Sequence, residues 1–190
     1  MDMEKRIIIL SIAVFGLCLL SAFAPRQTEQ KGGKALNWIS WESAIALSKA
    51  QKKKILVNIF QPSCSLCKTL ENKTLNNPNI VNYLNQTFYL VKFDISHPDP
   101  IRLNDRVFKQ VRKNGRSYHE FAAFLTMGSL EAPTIVFLAE DLEVLQPLPG
   151  YKSPASFEVI MTYYGDNFYQ NTPWSMYKES YIPLSSKSTD

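Results

Sequence analysis

Residues 55–68 read ILVNIFQPSCSLCK, an apolar run followed by a short polar turn and two cysteines with two residues between them. The run 55–60 is rich in β-branched residues and too short for a typical helix, which predicts a strand covered on both faces. The residues that follow, 68–72, are compatible with a helix that opens at the cysteines. Two thiols at this spacing can close a disulfide and can also attack one, so the segment predicts redox chemistry.

The flanking segments predict an alternation of helices and strands. Ser40 is a suitable N-cap for a first helix, and Asn77-Pro78 supplies a cap and a first-turn proline for another. Residues 89–94 read as a second strand, and the strand, helix, strand spacing predicts a parallel pair joined by a right-handed crossover. The inward stripe predicted for the first helix is Trp41, Ala44, Ile45 and Leu47. The inward stripe predicted for the second helix is Ile80, Tyr83 and Leu84.

The stretch from Ser96 to Arg116 breaks this rhythm and reads as an inserted loop with a short hairpin around Asn104-Asp105. Ser117 and Glu120 have the spacing of a capping box, which predicts a third helix that ends at Gly128. Its inward stripe would be Phe121, Phe124 and Leu125. His119 would lie in the first turn of that helix, where we expect a surface residue.

The last third of the chain predicts a hairpin and two further helices. Ala132-Pro133-Thr134 introduces a strand at 135–138, which turns into an antiparallel strand at 143–146. Ser153-Pro154 begins a helix, and Thr172-Pro173 repeats the start signal in the tail. The tail helix carries Trp174, Tyr177 and Tyr181 on one side, a face that packs on the domain or binds a partner. We expect residues 185–190 to be disordered.

This order of parts resembles the thioredoxin-like family, and in particular its exported thioredoxin-related members. The resemblance rests on Trp41, the strand 55–57, Cys64 to Lys68 and Asn77-Pro78, and it covers about residues 36–165. It implies an α/β thioredoxin-like fold: a central mixed sheet flanked by helices, with an insertion at about 96–128 before a cis-proline hairpin. A C-terminal helical extension would occupy residues 166–190.

The resemblance also implies roles for four residues. Cys64 would be the nucleophile and Cys67 the cysteine that resolves the mixed disulfide. Pro133 would be cis and lie against the disulfide, where with Ala132 it presents backbone groups to an extended substrate. Independently of the family, the N–H groups at a helix start favour a thiolate, so we expect the pKa of Cys64 to lie below the ~8.5 of a free thiol. Cys67, one turn inside, should be more shielded.

Two positions depart from the family pattern. Family members usually carry Trp before the first cysteine, where this chain has Ser63, and many carry a buried Asp where this chain has Asn58. Since an amide exchanges no proton at ordinary pH, the usual proton relay to Cys67 would need water or a carboxylate such as Glu71. We expect Glu71 itself to be a surface helix residue.

The first residues predict export. Lys5-Arg6 and the apolar run 7–24 form a signal peptide or an N-terminal membrane anchor over residues 1–24, and residues 25–35 form a flexible linker. Ala22-Phe23-Ala24 provides small residues for cleavage, but Pro25 would follow the scissile bond, so both fates stay open. We interpret Cys18, which lies in the leader, as an apolar filler. Only two cysteines remain beyond the leader, so no disulfide framework supports the core.

Other chemistries have weaker support. A zinc site would need His97 and His119, whose positions show no ligand spacing, and we expect neither metal nor cofactor. A static disulfide remains possible in an oxidising compartment. The basic run Lys52-Lys53-Lys54 has no interleaved aromatic residues, so we interpret it as a solvated helix end and expect no nucleic-acid partner.

The sequence therefore predicts an exported, periplasmic or otherwise extracytoplasmic thiol-disulfide oxidoreductase that acts on protein disulfides and dithiols. By resemblance, we expect a reductase that a membrane electron donor keeps reduced. The alternative is a non-catalytic binding module that holds a partner protein through its insertion or its aromatic tail.

Overall fold

The computed structural model describes residues 35–113 and 115–186. The predicted signal peptide or anchor, Cys18, nearly all of the linker and residues 187–190 lie outside these ranges. Within them, no helix is long and apolar enough to cross a membrane. In chain order, the described elements are β1 (Trp38–Ile39), α1 (Trp41–Ala50), β2 (Lys54–Phe60), α2 (Ser65–Leu70), a π-helical turn (Glu71–Leu75), α3 (Pro78–Thr87), β3 (Phe88–Asp94), β4 (Ile101–Leu103), β5 (Arg106–Phe108), β6 (Gln110–Lys113), β7 (Arg116–His119), α4 (Glu120–Leu125), β8 (Thr134–Leu138), β9 (Val144–Pro149), α5 (Pro154–Gly165), a 3₁₀ turn (Phe168–Gln170), α6 (Trp174–Ser180) and a second 3₁₀ turn (Leu184–Ser186).

Five strands form a mixed central sheet in the order β1-β3-β2-β8-β9. β2 pairs in parallel with β3, which confirms the predicted parallel pair, and β1 adds in parallel to the outer side of β3. β8 runs antiparallel to β2 and to β9, so the predicted hairpin forms the other half of the sheet. Because β2 is a central strand, its end carries the cysteines to the middle of one edge of the sheet.

Alternating side chains of the central strands supply two apolar cores, one on each face of the sheet. Ile55, Val57 and Ile59 point to the face that α1 and α4 cover. Leu56 points to the opposite face, which α2, α3 and α5 cover. Every residue of β2 from Lys54 to Ile59 is buried, as expected for a strand between two helical layers.

The predicted helix starts of α1, α3 and α5 are confirmed. The side-chain oxygens of Ser40, Asn77 and Ser153 each accept a hydrogen bond from a backbone N–H two or three residues later. The stripe predicted for α1 is wrong at Leu47, whose side chain is 44% exposed. The buried positions of this helix are Trp41, Ala44 and Ser48, because the face toward the sheet follows steps of three and four residues.

The insertion contains two hairpins. The predicted one, around Asn104-Asp105, is formed by β4 and β5. A second, formed by β6 and β7, occupies the place where we expected a loop and the first turn of a helix. The predicted capping box is therefore wrong: Ser117 lies in a strand, and α4 begins at Glu120. Pairing with β6 holds residues 116–119 extended, so the helix cannot start earlier.

His119 is buried, whereas the sequence predicted a surface residue. It is the N-cap of α4, where its Nδ1 accepts from the N–H of Phe121 at 3.0 Å. Its Nε2 lies 3.1 Å from the carbonyl oxygen of Asp99, and its ring packs edge-on against Phe93. Burial lowers the pKa of His119, and the nearby His97 ring adds to that effect. The prediction for Phe124 also fails, since its side chain is 39% exposed.

The first hairpin of the insertion belongs to the core. Ile101, Leu103 and Phe108 are buried in the cluster that also contains Trp41 and Phe121. The Trp41 indole N–H donates to the carbonyl oxygen of Arg102 at 2.9 Å, which ties the hairpin to α1. The hairpin therefore completes the apolar layer on the α1 and α4 face of the sheet.

The basic run 52–54 is not wholly solvated. Lys54 begins β2, its side chain is only 4% exposed, and its Nζ lies 2.8 Å from Oε1 of Glu140. Its Nζ also donates to the carbonyl oxygen of Gly165 at 3.4 Å. The strand places the Lys54 side chain inside the domain, where its ammonium is paired with the carboxylate of Glu140, itself 39% exposed, and with a backbone carbonyl.

The aromatic tail packs on the domain through α5. Tyr177 is buried, and its hydroxyl donates to Oγ1 of Thr162 at 2.8 Å. Tyr181 donates to Oε1 of Glu158 at 2.8 Å, and burial raises the pKa of its hydroxyl. Trp174 stacks edge-on against Tyr163 but stays 40% exposed. Residues 185 and 186, the described part of the predicted disordered end, belong to the 3₁₀ turn Leu184–Ser186.

Candidate active site

The chain turns sharply between the end of β2 and the cysteines. The Cys64 N–H donates to the carbonyl oxygen of Gln61 at 3.1 Å, which closes the turn. Cys64 has extended backbone angles and is the N-cap of α2, and its carbonyl oxygen accepts from the N–H of Lys68 at 3.3 Å. The strand thus delivers Cys64 directly to the first turn of a helix.

Cys64 and Cys67 form a disulfide, with a Cα–Cα distance of 5.3 Å. The Cys67 N–H points at the sulfur of Cys64, with an N to Sγ distance of 3.0 Å. This N–H would stabilise negative charge on that sulfur when the bond is reduced. Cys64 is partly exposed while Cys67 is 3% exposed, so the expected difference in shielding is confirmed.

The loop before β8 lies against the disulfide. The Ala132–Pro133 peptide bond is cis, and the carbonyl oxygen of Ala132 lies 3.5 Å from Sγ of Cys64. Pro133 is buried, and its carbonyl oxygen accepts from the N–H of Gly150 at 2.7 Å. The structure therefore brings all four residues predicted for the site to one edge of the sheet.

Ala132 keeps free hydrogen-bonding capacity beside the sulfur. In the described ranges, its N–H donates to no backbone group, and its carbonyl oxygen has no hydrogen-bond partner other than the sulfur of Cys64. A peptide backbone needs partners for such groups when it is covered. The loop can therefore pair with an extended chain laid across the disulfide.

Asn58 lies on β2, the strand that ends just before the cysteines, and its side chain is buried. It is 1% exposed, and its Oδ1 has no hydrogen-bond partner in the described part of the chain. Glu71 lies at the surface, as expected, with its side chain 34% exposed, and it forms an ion pair with Lys92, with 2.6 Å between Oε1 and Nζ. The Lys92 ammonium also lies 4.5 Å from the centre of the Phe60 ring. The carboxylate nearest along the chain to Cys67 is thus already paired.

The described residues include no group of three or more His, Cys, Asp and Glu side chains that could hold a metal ion. His97 and His119 lie close, with 5.9 Å between ring centroids, but both His119 nitrogens have backbone partners. The cysteine pair is closed as a disulfide rather than arranged around an ion site.

A family model described as a thioredoxin-like domain matches residues 41–165. The chain belongs to the thioredoxin-like family. With a disulfide that joins the two cysteines of a Cys-x-x-Cys pair at a helix start, this thioredoxin-like protein is a thiol-disulfide oxidoreductase. No curated protein matches the sequence.

Two solved structures illustrate the shared fold. A protein described as DsbH oxidoreductase is 16% identical and superposes with a TM-score of 0.53, covering 77% of this chain and 95% of its own. A thioredoxin-fold protein from Helicobacter pylori is 20% identical, with a TM-score of 0.52, covering 67% of this chain and 83% of its own. At these identities the likeness concerns the fold.

The sequence did not single out β6 and β7, which place basic side chains near this edge of the sheet. Gly115, whose φ is +76°, was the available signal, because a glycine between two short polar segments marks a tight hairpin turn. The prediction of a helix start at Ser117 obscured it.

Proposed function

We propose that this thioredoxin-like protein reduces disulfides of exported proteins in the periplasm or an equivalent compartment. The observation that carries the proposal is the asymmetry of the cysteine pair. Cys64 is partly exposed beside the free backbone groups of Ala132, whereas Cys67 is buried behind it. A substrate sulfur can reach the first cysteine but not the second.

In the proposed reaction, the Cys64 thiolate of the reduced protein attacks one sulfur of a substrate disulfide. The bond from Cys64 to that sulfur forms, the substrate disulfide breaks, and the first substrate thiolate leaves and takes a proton from water. Cys67 gives its proton to the hydroxide that remains, and the resulting thiolate attacks Sγ of Cys64. The mixed disulfide breaks, the second substrate thiolate leaves, and two electrons have passed to the substrate.

The residues around Cys64 favour a reductase over a strong oxidant. Ser65 and Leu66, which separate the cysteines, carry no charge, and in the described ranges no cationic side chain contacts Sγ of Cys64. A thiolate stabilised mainly by one backbone N–H keeps the reduced form only moderately stable. We therefore expect a reduction potential nearer the roughly −270 mV of reducing dithiols than the roughly −120 mV of strong oxidants.

The predicted leader supports export, and an exported reductase needs electrons from outside its compartment. We propose a membrane dithiol donor for this step, with the protein either tethered through residues 1–24 or released. Ala132 and Pro133 would bind the substrate backbone during both half-reactions. No cofactor enters the cycle.

Trapping tests this function directly. In the Cys67→Ser variant, Cys64 can attack but the mixed disulfide cannot be resolved, so protein partners should be recovered in covalent, reductant-sensitive complexes. The Cys64→Ser variant is the matched control and should trap none. Without added thiol, the pre-reduced wild type should release the reduced protein substrate in a single turnover, and neither variant should do so.

A binding module is the second candidate, and the exposed apolar side chains of the tail favour it. Trp174, Met176 and Ile182 are 40%, 61% and 58% exposed. If partner proteins bind equally well to a Cys64→Ser/Cys67→Ser variant, and Cys67→Ser traps nothing, the binding module is the better account.

A further inference from the structure

A cleft of about 760 Å³ is lined by Gln61, three residues before Cys64, and by Leu130, two residues before Ala132. Gln61 from the end of β2 and Ile95 from the end of β3 line one side, Leu130 lies on the loop that leads to Ala132, and the second hairpin of the insertion forms the remaining wall. The volume lies within the range of sites that enclose small ligands, so several side chains of a bound segment would fit.

The cleft is continuous with the cysteine site along the backbone. Its residue Gln61 accepts the hydrogen bond that fixes the Cys64 turn, and Leu130 precedes Ala132 by two residues. The hairpin is held in place by the His119 N–H, which donates to the carbonyl oxygen of Ile95 at 2.7 Å. A polypeptide lying over Cys64 and Ala132 would therefore extend into the cleft on one side.

Two cations face each other on the hairpin wall. Lys113 and Arg116 are direct cross-strand partners of β6 and β7, and both line the cleft and are exposed. Like charges in this position destabilise a hairpin, and an anion between them would offset that cost. No ion pair among the described residues involves either side chain, since the pairs there are Lys54 with Glu140 and Lys92 with Glu71.

Two carboxylates are adjacent in sequence to lining residues: Glu131 beside Leu130 and Asp94 beside Ile95. Glu131 is exposed, Asp94 Oδ1 accepts from the N–H and the hydroxyl of Ser96, and neither forms an ion pair with either cation. The basic wall thus keeps its charge available for a ligand, and the apolar surface of Ile95 and Leu130 faces it across the cleft.

We propose that this cleft selects the substrate: it binds a segment of the substrate protein that carries acidic side chains near the disulfide to be reduced. This inference rests on the proposed function and adds its substrate class. Lys113 and Arg116 hold the acidic groups, while Ala132 pairs with the backbone nearer the sulfur. The insertion then determines which substrates bind, while the cysteine pair carries out the exchange.

The test uses three peptides that contain the same disulfide and differ only at two flanking positions, which carry Glu, Gln or Lys. The reduced full-length protein should reduce the Glu peptide fastest and the Lys peptide slowest. The Lys113→Gln/Arg116→Gln variant should lower kcat/KM for the Glu peptide about 3- to 10-fold, in line with two exposed charge pairs, and leave the Gln peptide unchanged. Added salt should reproduce this loss in the wild type.

Arg112→Gln is the matched control. Arg112 neighbours Lys113 on the same strand, is exposed and does not line the cleft. Its removal lowers the net charge while both lining cations, Lys113 and Arg116, remain in place. Its kcat/KM for the three peptides should equal that of the wild type.

A second measurement separates this inference from the proposed function. The same three peptides are made with Ser in place of their cysteines, and their binding to the oxidised protein is measured by fluorescence anisotropy. Because no thiol exchange can occur, this measurement reports on binding to the cleft alone. Preferential binding of the Glu peptide that disappears in the double variant supports the cleft even if no peptide is reduced. Equal binding of the three peptides, or an Arg112→Gln effect as large as that of the double variant, overturns the inference. In that case, reduction of all three disulfide peptides would still support the proposed reductase function.

Discussion

At the scale of single residues, the unusual feature of the site is the buried amide of Asn58, at a position where the family resemblance led us to expect a carboxyl. Asn58 is 1% exposed and leaves its Oδ1 without a partner in the described residues. An unpartnered buried acceptor costs about 1–3 kcal/mol of folding free energy, but a buried carboxylate costs more. The amide therefore keeps a charge out of the layer behind the disulfide.

Asn58→Asp should make stability depend on pH. Burial raises the pKa of a carboxyl, so the folded variant would bind a proton that the unfolded chain has already lost. Its free energy of unfolding should then fall below that of the wild type as pH rises from 5 to 8, by more than about 1 kcal/mol at pH 8. Urea unfolding at several pH values measures this gap.

Asn82→Asp makes the same chemical change at an exposed position of α3 and serves as the control. It should show no such widening. A gap for Asn58→Asp that stays constant over the pH range would contradict the argument.

His119 gives a second prediction at this scale. Burial lowers the pKa of His119 in the folded protein, so the unfolded chain binds a proton first as pH falls. The stability that the neutral ring contributes is complete above its ordinary pKa of about 6.5 and is lost as pH drops through the lowered value. Protonation would also remove the Nδ1 acceptor that caps α4.

His119→Asn should therefore reduce the loss of stability on going from pH 7 to pH 5, because Asn caps a helix without titrating in this range. Thermal unfolding at both pH values provides the measurement. His97→Asn is the control for the neighbouring ring and should retain most of the pH effect. The prediction fails if the His119 and His97 variants lose stability in the same way as the wild type.

At the scale of elements, the tail helix α6 depends on one buried side chain. Tyr177 is 7% exposed, contacts Phe168 at 4.6 Å between ring centroids and donates to Thr162. α6 has seven residues, and no side chain forms an N-cap hydrogen bond there. A helix this short is stable only through tertiary contacts.

Tyr177→Ala should release α6 while leaving the sheet folded. Loss of a buried aromatic ring costs about 3 kcal/mol, which exceeds the local stability of so short a helix. Amide hydrogen exchange across residues 174–180 should accelerate strongly, while exchange in β2 and β3 stays slow. Met176→Ala, at a side chain 61% exposed, is the matched control and should leave exchange nearly unchanged.

At the scale of the whole molecule, two apolar layers rather than the disulfide hold the fold together. The clusters on the two faces of the sheet contain neither cysteine. The disulfide closes a loop between residues only three apart in sequence, so it restricts the unfolded chain little. The chain-entropy relation gives about 2 kcal/mol for so short a loop.

Cys64→Ser/Cys67→Ser should consequently keep the native fold, with a free energy of unfolding lower than that of the oxidised protein by no more than about 2 kcal/mol. Cooperative urea unfolding with an unchanged slope, together with an unchanged far-ultraviolet circular dichroism spectrum, would be the expected result. Loss of cooperative unfolding would mean that the disulfide, not the core, specifies the structure. Oxidised and reduced wild type should differ by a similarly small amount.

Local patterns in the sequence determined the cysteine helix, the buried strand β2, the capped helices at Ser40, Asn77 and Ser153, and the hairpin that follows Pro133, whereas the cis bond before Pro133 was implied only by the family resemblance. These features depend on neighbours within a few residues: alternation of apolar side chains, an acceptor at a helix start, a proline with fixed φ. The family resemblance and the position of the four site residues followed from them.

Only the tertiary structure decided which polar groups are buried and which charges meet. The burial of His119 depends on the distant Phe93, and that of Lys54 on Glu140, 86 residues away. The cleft beside the disulfide likewise joins Gln61 and Leu130 to the second hairpin, whose strands carry few apolar residues to reveal them. Desolvation and ion pairing act through space between segments remote in sequence, and no local pattern records them.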